Sequence, residues 1–333
     1  MLLIHNNLRR VKIMNRISSK HLIFVCCFAF MLASCQPNSN ELEPSICYVP
    51  PMRFVEETPS AFDPLSRAEK AEDWGKEVII ADTFAREMDL YRAITGYKRA
   101  EILLPSSYVE RRLQIEYNII LCYYLGCRYI DAIEIFECSD LTKLSCSFPG
   151  FSNVLIMMYD CYQKVEREDK AEAILKMIEK FSPETACELK LYTGFVEGDL
   201  DCVEMISCER SPETAMNLFL EEYHCQAKSV RKAQILNAVL PGAGYYYVGQ
   251  KKAALTSFVI NTLFTAAAYQ FFNRGYIAAG LITTSIELGW YFGGINGAGL
   301  AAKAYNERFY SDMGKEALMK DRLFPILMFE TAF

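Results

Sequence analysis

From about Ala68 to Gln226 the apolar residues recur at three- to four-residue intervals and do not alternate, so the spacing predicts a run of amphipathic helices. Two other apolar stretches differ in kind. Residues 22–32 form a short unbroken apolar run behind Arg9, Arg10, Lys12, Arg16 and Lys20. Residues 253–272 carry no charge, and after the turn signal Asn273-Arg274-Gly275 a second apolar segment runs over 276–302, interrupted only by Glu287. About 20 apolar residues suffice to cross a ~30 Å hydrocarbon core as a helix. Two such helices on so short a turn must be antiparallel, so 253–272 and 276–302 are expected to form a transmembrane hairpin. The expected fold class is therefore all-α: helical repeats followed by that hairpin. A buried hairpin within a soluble fold stays open as the alternative, because Thr256, Ser257, Asn261, Thr262, Thr265, Gln270, Thr283, Thr284 and Ser285 dot the two segments.

Within the helical run, Ala81, Phe84, Ala93, Tyr97, Ala100 and Pro105 alternate small and aromatic residues before a proline. A second unit reads Ile120, Tyr123, then Arg128-Tyr129-x-x-Ala132-x-x-x-Phe136. A third carries Tyr159, Tyr162, Ala171 and Leu175, and a weaker fourth runs through Leu191 and Gly198 to Val203. This pattern resembles degenerate tetratricopeptide repeats over roughly half the chain. The interval from Ala93 to Ala132 to Ala171 is about 39 residues, longer than the usual ~34. What the resemblance implies is packing of helix pairs through Ala93, Tyr97, Ala132, Phe136 and Ala171, with small residues allowing close approach and aromatics filling the groove to the next pair. It also implies a concave surface for a peptide or partner helix. Tyr91, Tyr97, Tyr117, Tyr123, Tyr124, Tyr129, Tyr159 and Tyr162 are candidates to line it, although most fit core positions better.

The N-terminal apolar run has the length of a signal peptide, and it ends in Leu32-Ala33-Ser34-Cys35. That ending is similar to a bacterial lipobox, which implies cleavage before Cys35 and acylation of its thiol. Prolines 44, 50, 51, 59 and 64 then suggest a semi-extended tether. Ahead of the hairpin, Pro241-Gly242-Ala243-Gly244-Tyr245-Tyr246-Tyr247-Val248-Gly249 resembles the opening of small two-helix bacterial membrane modules. The glycines permit a tight re-entrant turn, and the tyrosines suit a membrane interface. Gly293, Gly294, Gly297 and Gly299 are expected to let the hairpin helices approach closely. Glu287, the one acidic residue inside the span, is a candidate functional group with Asn261, Gln270 or Thr283 as partners; a hydrogen-bonded structural carboxyl fits it equally well.

Composition narrows the function. A net charge of -6 argues against nucleic acid as a partner. Of 13 cysteines none lies after Cys225 and no pair has CxxC spacing, so burial between helices is the better expectation, with disulfides as the alternative. Beyond the targeting segment the only histidine is His224, and no GxSxG, HExxH or Rossmann phrase occurs, so neither an enzyme, a metal site nor a cofactor is expected. The expected division is a lipoprotein signal peptide (1–34), a lipidated Cys35 with a Pro-rich tether (35–66), helical repeats (67–227), a membrane-associated module (228–310) and a tail (311–333).

Lys251, Lys252, Lys303 and Arg308 flank the hairpin's open end and by the positive-inside rule would face the cytoplasm, whereas the lipobox puts the body outside it. Export signals govern long translocated domains, so the body is expected to be periplasmic. The expected function is an envelope lipoprotein scaffold, held by membrane lipid and binding a protein or peptide on its repeats. The rival is a membrane assembly or transport component in which the hairpin and Glu287 do the work.

Overall fold

The computed structural model describes residues 42–46, 48, 58–143 and 147–333. The proposed signal peptide and Cys35 lie outside them. Among the described residues the fold is all-α, and the only β-type pairing is a single bridge between Ser60 and Ala332. The chain forms two compact units that do not follow its order: one comprises 42–43 and Tyr223–Tyr310, the other Pro44–Glu222 and Ser311–Phe333.

The larger unit begins with α1 (Arg67–Ala71) and continues as helix pairs: α2 (Asp73–Arg86) with α3 (Leu90–Leu103), α4 (Val109–Leu125) with α5 (Tyr129–Cys138), α6 (Phe151–Lys164) with α7 (Glu168–Phe181), and α8 (Pro183–Glu197) with α9 (Leu200–Cys208). Each helix packs on its neighbour in sequence, and α4 also touches α6. The turn inside each of the first three pairs is the same. Met88, Cys127 and Glu166 hold φ of 59°, 56° and 58°, and the N–H groups of Asp89, Arg128 and Arg167 reach back to the carbonyls of Phe84, Tyr123 and Tyr162. That six-to-one bond is the left-handed helix stop usually built on glycine. These left-handed residues recur at the 39-residue interval that separates Ala93, Ala132 and Ala171.

The two helices of a pair are buried differently. α4 is buried around its whole circumference from Gln114 to Tyr124, and α6 from Asn153 to Tyr162, as expected of helices covered on every side. α7 is amphipathic and buries only Ala171, Ile174 and Ile178. Ala93, Tyr97, Ala132, Phe136 and Ala171 are all buried. Enclosing α4 and α6 also encloses polar groups: Glu116, Asn118, Asn153 and Asp160 are buried.

Residues 311–333, expected as a tail, are not one. Residues 311–320 continue the helix α14, described below, and the chain then returns through a 3-10 turn, Pro325–Met328. Leu323, Phe324, Ile326, Phe329, Ala332 and Phe333 are buried in the larger unit. The ring of Phe324 stacks on Tyr48 at 4.5 Å and meets Tyr192 edge-on at 5.8 Å, while Phe329 lies 5.8 Å from Tyr124. Asp321 accepts from the backbone N–H groups of Ala215 and Met216 at the start of α10 (Ala215–Gln226).

The smaller unit contains α11 (Val230–Val239), α12 (Ala243–Tyr247), α13 (Lys251–Asn273) and most of α14 (Ile277–Lys320). Its core is small: Val230, Ala233, Val248, Ala298, Ala301 and Ala302, against Tyr245, Tyr247 and Tyr305. Among the described residues α13 is the one helix long and apolar enough to cross a membrane. The second expected segment, 276–302, forms the first part of α14, which runs on without a break to Lys320.

Candidate functional site

The sequence directs attention to the α13–α14 hairpin. The two helices meet in antiparallel register: Phe272 lies against Gly280, Thr265 faces Glu287, and Ser257 lies against Gly294. On α13, Ser257, Asn261 and Thr265 recur at four-residue steps and so share one face. Thr265 donates its hydroxyl to Glu287 Oε1 at 3.5 Å, and Glu287 Oε2 is buried with no hydrogen-bond partner. Asn261 is 5% exposed; its amide donates to the Ser257 carbonyl at 2.7 Å, and its Oδ1 is buried without a partner. The seam between the helices is thus polar and under-satisfied. Large apolar side chains are nevertheless exposed, namely Leu255, Phe258, Val259, Leu263, Leu281, Ile282, Leu288 and Phe292, together with Ile286 and Trp290, which border a groove between the helices.

Two expectations about this hairpin need correction. Gln270 is not a partner of Glu287: with its amide oriented to suit its neighbours, its oxygen accepts from Nε and Nη2 of Arg274 at 3.0 Å. A cation one turn away on the same helix captures the group. Of the glycines expected to bring the hairpin helices together, Gly293 and Gly297 do not, whereas Gly294 lies against Ser257 and, nearer the turn, Gly280 takes the Phe272 ring. Gly293 has open space where a Cβ would stand, as does Gly289, and both border a groove of about 820 Å3 between α13 and α14. Gly297 instead makes room for the Tyr245 hydroxyl, and Gly294 for the Asn237 amide as well as Ser257.

That points to residues the sequence alone did not single out. Asn237 is buried, and its Oδ1 accepts from the Gly242 N–H at 2.8 Å. Tyr291 donates its hydroxyl to the Ala238 carbonyl at 2.6 Å. Gly242 holds φ +93°, and a Cβ there would meet the Ala254 carbonyl oxygen at 2.3 Å. The glycine phrase is therefore a packing element locking α11 and α12 onto the hairpin. The available signal was the pairing of Pro241-Gly242 with a polar residue, Asn237, in the otherwise apolar stretch 235–240.

In the larger unit, the faces of α4, α6 and α8 that carry Tyr124, Asp160 and Tyr192 are covered by the chain's own C-terminal segment. Tyr124 donates to the buried Asp160 carboxylate at 2.9 Å, and Asn153 donates to Tyr117 at 3.0 Å. Of the tyrosines considered for a binding surface, Tyr97, Tyr117, Tyr123, Tyr124, Tyr159 and Tyr162 are buried, whereas Tyr91 is 79% exposed. Tyr91, Ile102, Lys98, Arg99, Tyr123 and Arg128 border a second groove of about 300 Å3 on the outer side of α3. Lys98 there donates to the Tyr123 hydroxyl at 3.0 Å, while Arg99 and Arg128 pair with Glu77 and Asp131.

The cysteines divide. Cys122 and Cys161 are buried thiols, whose burial pushes their pKa well up, while Cys127, Cys138, Cys208 and Cys225 are exposed. His224 and Cys225 are both exposed on α10. Among the described residues no cluster of three or more His, Cys, Asp or Glu side chains is arranged to hold a metal ion. No protein-family model, curated protein or solved structure matches the chain.

Proposed function

We propose that this chain is a membrane-held scaffold of a bacterial envelope. The α13–α14 hairpin sits in the bilayer, and the other unit offers a tetratricopeptide-like repeat surface to a protein partner. One observation carries the reading: the hairpin leaves its large apolar side chains exposed, while Asn261 and the Thr265–Glu287 pair lie on the seam and the exposed Thr256, Thr262 and Ser285 turn their hydroxyls back to carbonyls of their own helix. In hydrocarbon that arrangement is favourable, because interhelical polar contacts hold helices together where apolar burial gives no gain. The repeat assignment is supported by the recurring left-handed turns and by the burial of Ala93, Ala132 and Ala171. Lipidation at Cys35 and a periplasmic body complete the proposal from the sequence.

The partner surface proposed is the outer groove on α3. The first-helix face is already covered by the chain's own C-terminus, whereas Tyr91 and Ile102 lie open beside Lys98, Arg99 and Arg128. Arg99 and Arg128 are already paired, so that chemistry suits an apolar segment carrying one carboxylate for Lys98, which bonds the neutral Tyr123 hydroxyl.

The test separates the two anchors. A Cys35→Ser protein lacks the acyl chains, and its hairpin should still resist extraction with alkaline carbonate. If that variant washes off the membrane, the hairpin belongs to a soluble fold and the proposal fails. Ile102→Glu should abolish crosslinking to the partner without altering membrane retention.

A second reading is favoured by the two orphaned oxygens on the seam, Glu287 Oε2 and Asn261 Oδ1. In it the hairpin is the working part of an assembly or transport system. Glu287→Gln would then abolish function while Ile102→Glu leaves it intact; the reverse pattern supports the scaffold.

A further inference from the structure

We infer that residues 230–248 form a re-entrant membrane insertion, a helix that enters the bilayer beside the hairpin, turns at Pro241-Gly242 and leaves on the side it entered. This rests on the membrane reading of the hairpin. The first ground is depth. α11 runs antiparallel along α14, with Val230 and Ala233 in the cluster around Ala298, Ala301 and Ala302, Asn237 against Gly294, and Ala238 bonded to Tyr291. Tyr291 stands twelve positions before Lys303 on one helix, so the tip of α11 lies about 18 Å along α14 from that lysine, toward the Asn273-Arg274-Gly275 turn. The chain then returns through α12, where a Cβ on Gly244 would meet the Ala233 carbonyl oxygen at 2.2 Å, and reaches the surface again at Lys251.

The second ground is what the tip exposes. No charged residue occurs from Ala233 to Gln250. Ile235, Val239 and Leu240 are open, Val239 to 80% of its surface. Charge collects at the other end. Lys228 lies over the rings of Tyr247 and Tyr305, each at 5.6 Å, and Lys232 over Tyr247 at 5.0 Å, with Arg231, Lys251 and Lys252 in the flanking sequence. Tyrosines with lysines at one end and bare aliphatic side chains at the other match anionic headgroups above hydrocarbon.

The third ground is the turn itself. A turn in water leaves its polar backbone to solvent, whereas non-helical backbone at membrane depth must be satisfied within the protein. Here the Gly242 N–H is taken by the buried Asn237, the Ala238 carbonyl by Tyr291, and the Leu240 carbonyl by the Ala243 N–H at 2.9 Å. Two side chains are committed to groups that water would have served.

The experiment places tryptophans by depth. The full chain is reconstituted in vesicles of phosphatidylcholine and phosphatidylglycerol, with or without bromine on the acyl chains. Trp74 is buried in the repeat unit and gives a constant background, while Trp290 in the parent reports on the hairpin. Val239→Trp in a Trp290→Phe background adds an indole at an already exposed position. Its emission should fall roughly two-fold in brominated vesicles and resist quenching by aqueous iodide. If Trp290 is quenched by bromine but the indole at 239 is reached only by iodide, the insertion is refuted and the hairpin stands. A blue-shifted indole at 239 that neither reagent reaches means a protein contact covers the tip, which also refutes it. If neither Trp290 nor the indole at 239 responds to bromine, the hairpin reading falls and this inference with it.

Discussion

The side-chain amide of Asn153, near the start of α6, donates to both the carbonyl and the hydroxyl of Thr331, at 2.8 and 2.9 Å, across 178 residues of sequence. The same amide donates to Tyr117 on the neighbouring first helix at 3.0 Å. One buried asparagine thereby ties two repeats to the end of the chain. Asn153→Ala leaves Thr331 and Tyr117 to find other partners in a buried site, at a cost of about 1–3 kcal/mol. Urea unfolding of the repeat unit should show a lower midpoint with an unchanged slope. An unchanged midpoint would mean that the C-terminal segment is not fastened there.

Glu116 sets a pH dependence. Burial pushes its carboxyl up from 4.5 to about 7, with the Glu101 charge adding to the effect. Between those values the unfolded chain has lost the proton while the folded one keeps it. Stability is therefore highest below about pH 4.5 for this group, falls as pH rises through the window, and levels off above about pH 7. Glu116→Gln removes the titration. It should stabilise by about 1–3 kcal/mol at pH 8 relative to the parent, with little gain at pH 4.5. Melting curves at the two pH values decide it.

Ala132 lies fully buried on α5, the second helix of its pair. Ala132→Leu adds volume at a fully buried position and should cost about 1–3 kcal/mol. A melting temperature equal to the parent's would show that the site can relax.

Gly242 has two reasons to be glycine, its left-handed φ of +93° and the Ala254 carbonyl beside it. Gly242→Ala is expected to cost about 1–3 kcal/mol or more locally. Gly249 also has a positive φ, +87°, but open space around it, so Gly249→Ala should be milder. Limited proteolysis between Val239 and Lys251 should speed up more in the first variant than in the second. Equal rates would remove the packing argument.

The parts legible in the sequence were those set by local period. The amphipathic spacing from Ala68 to Gln226 marked the helices, and the interval between Ala93, Ala132 and Ala171 is also the interval of the left-handed turns. What the sequence hid depended on distant or competing partners. The segment 323–333 has no helical or alternating pattern, and its partners, such as Tyr124 and Asn153, lie far earlier in the chain. Gln270 was open to Glu287 by composition, but Arg274 at four residues' distance takes it. Among the glycines of α14, Gly280 and Gly294 meet the other arm of the hairpin at Phe272 and Ser257, but Gly297 makes room for Tyr245 and Gly294 also for Asn237, partners that lie outside the hairpin.

Because residues 311–333 complete a unit begun at Pro44, the Tyr223–Tyr310 part of the smaller unit is an insertion within the larger one. That imposes an order on biosynthesis. When the ribosome has finished α9, the faces of Tyr124 and Tyr192 still lack Phe329 and Phe324, which are translated only after both arms of the hairpin. The repeats wait, with part of their apolar surface uncovered, until the last residues are made, so this contact of high sequence separation closes late. A chain cut short anywhere between the hairpin and Phe324 would carry a complete hairpin and a repeat unit whose Tyr124 and Tyr192 faces stay uncovered.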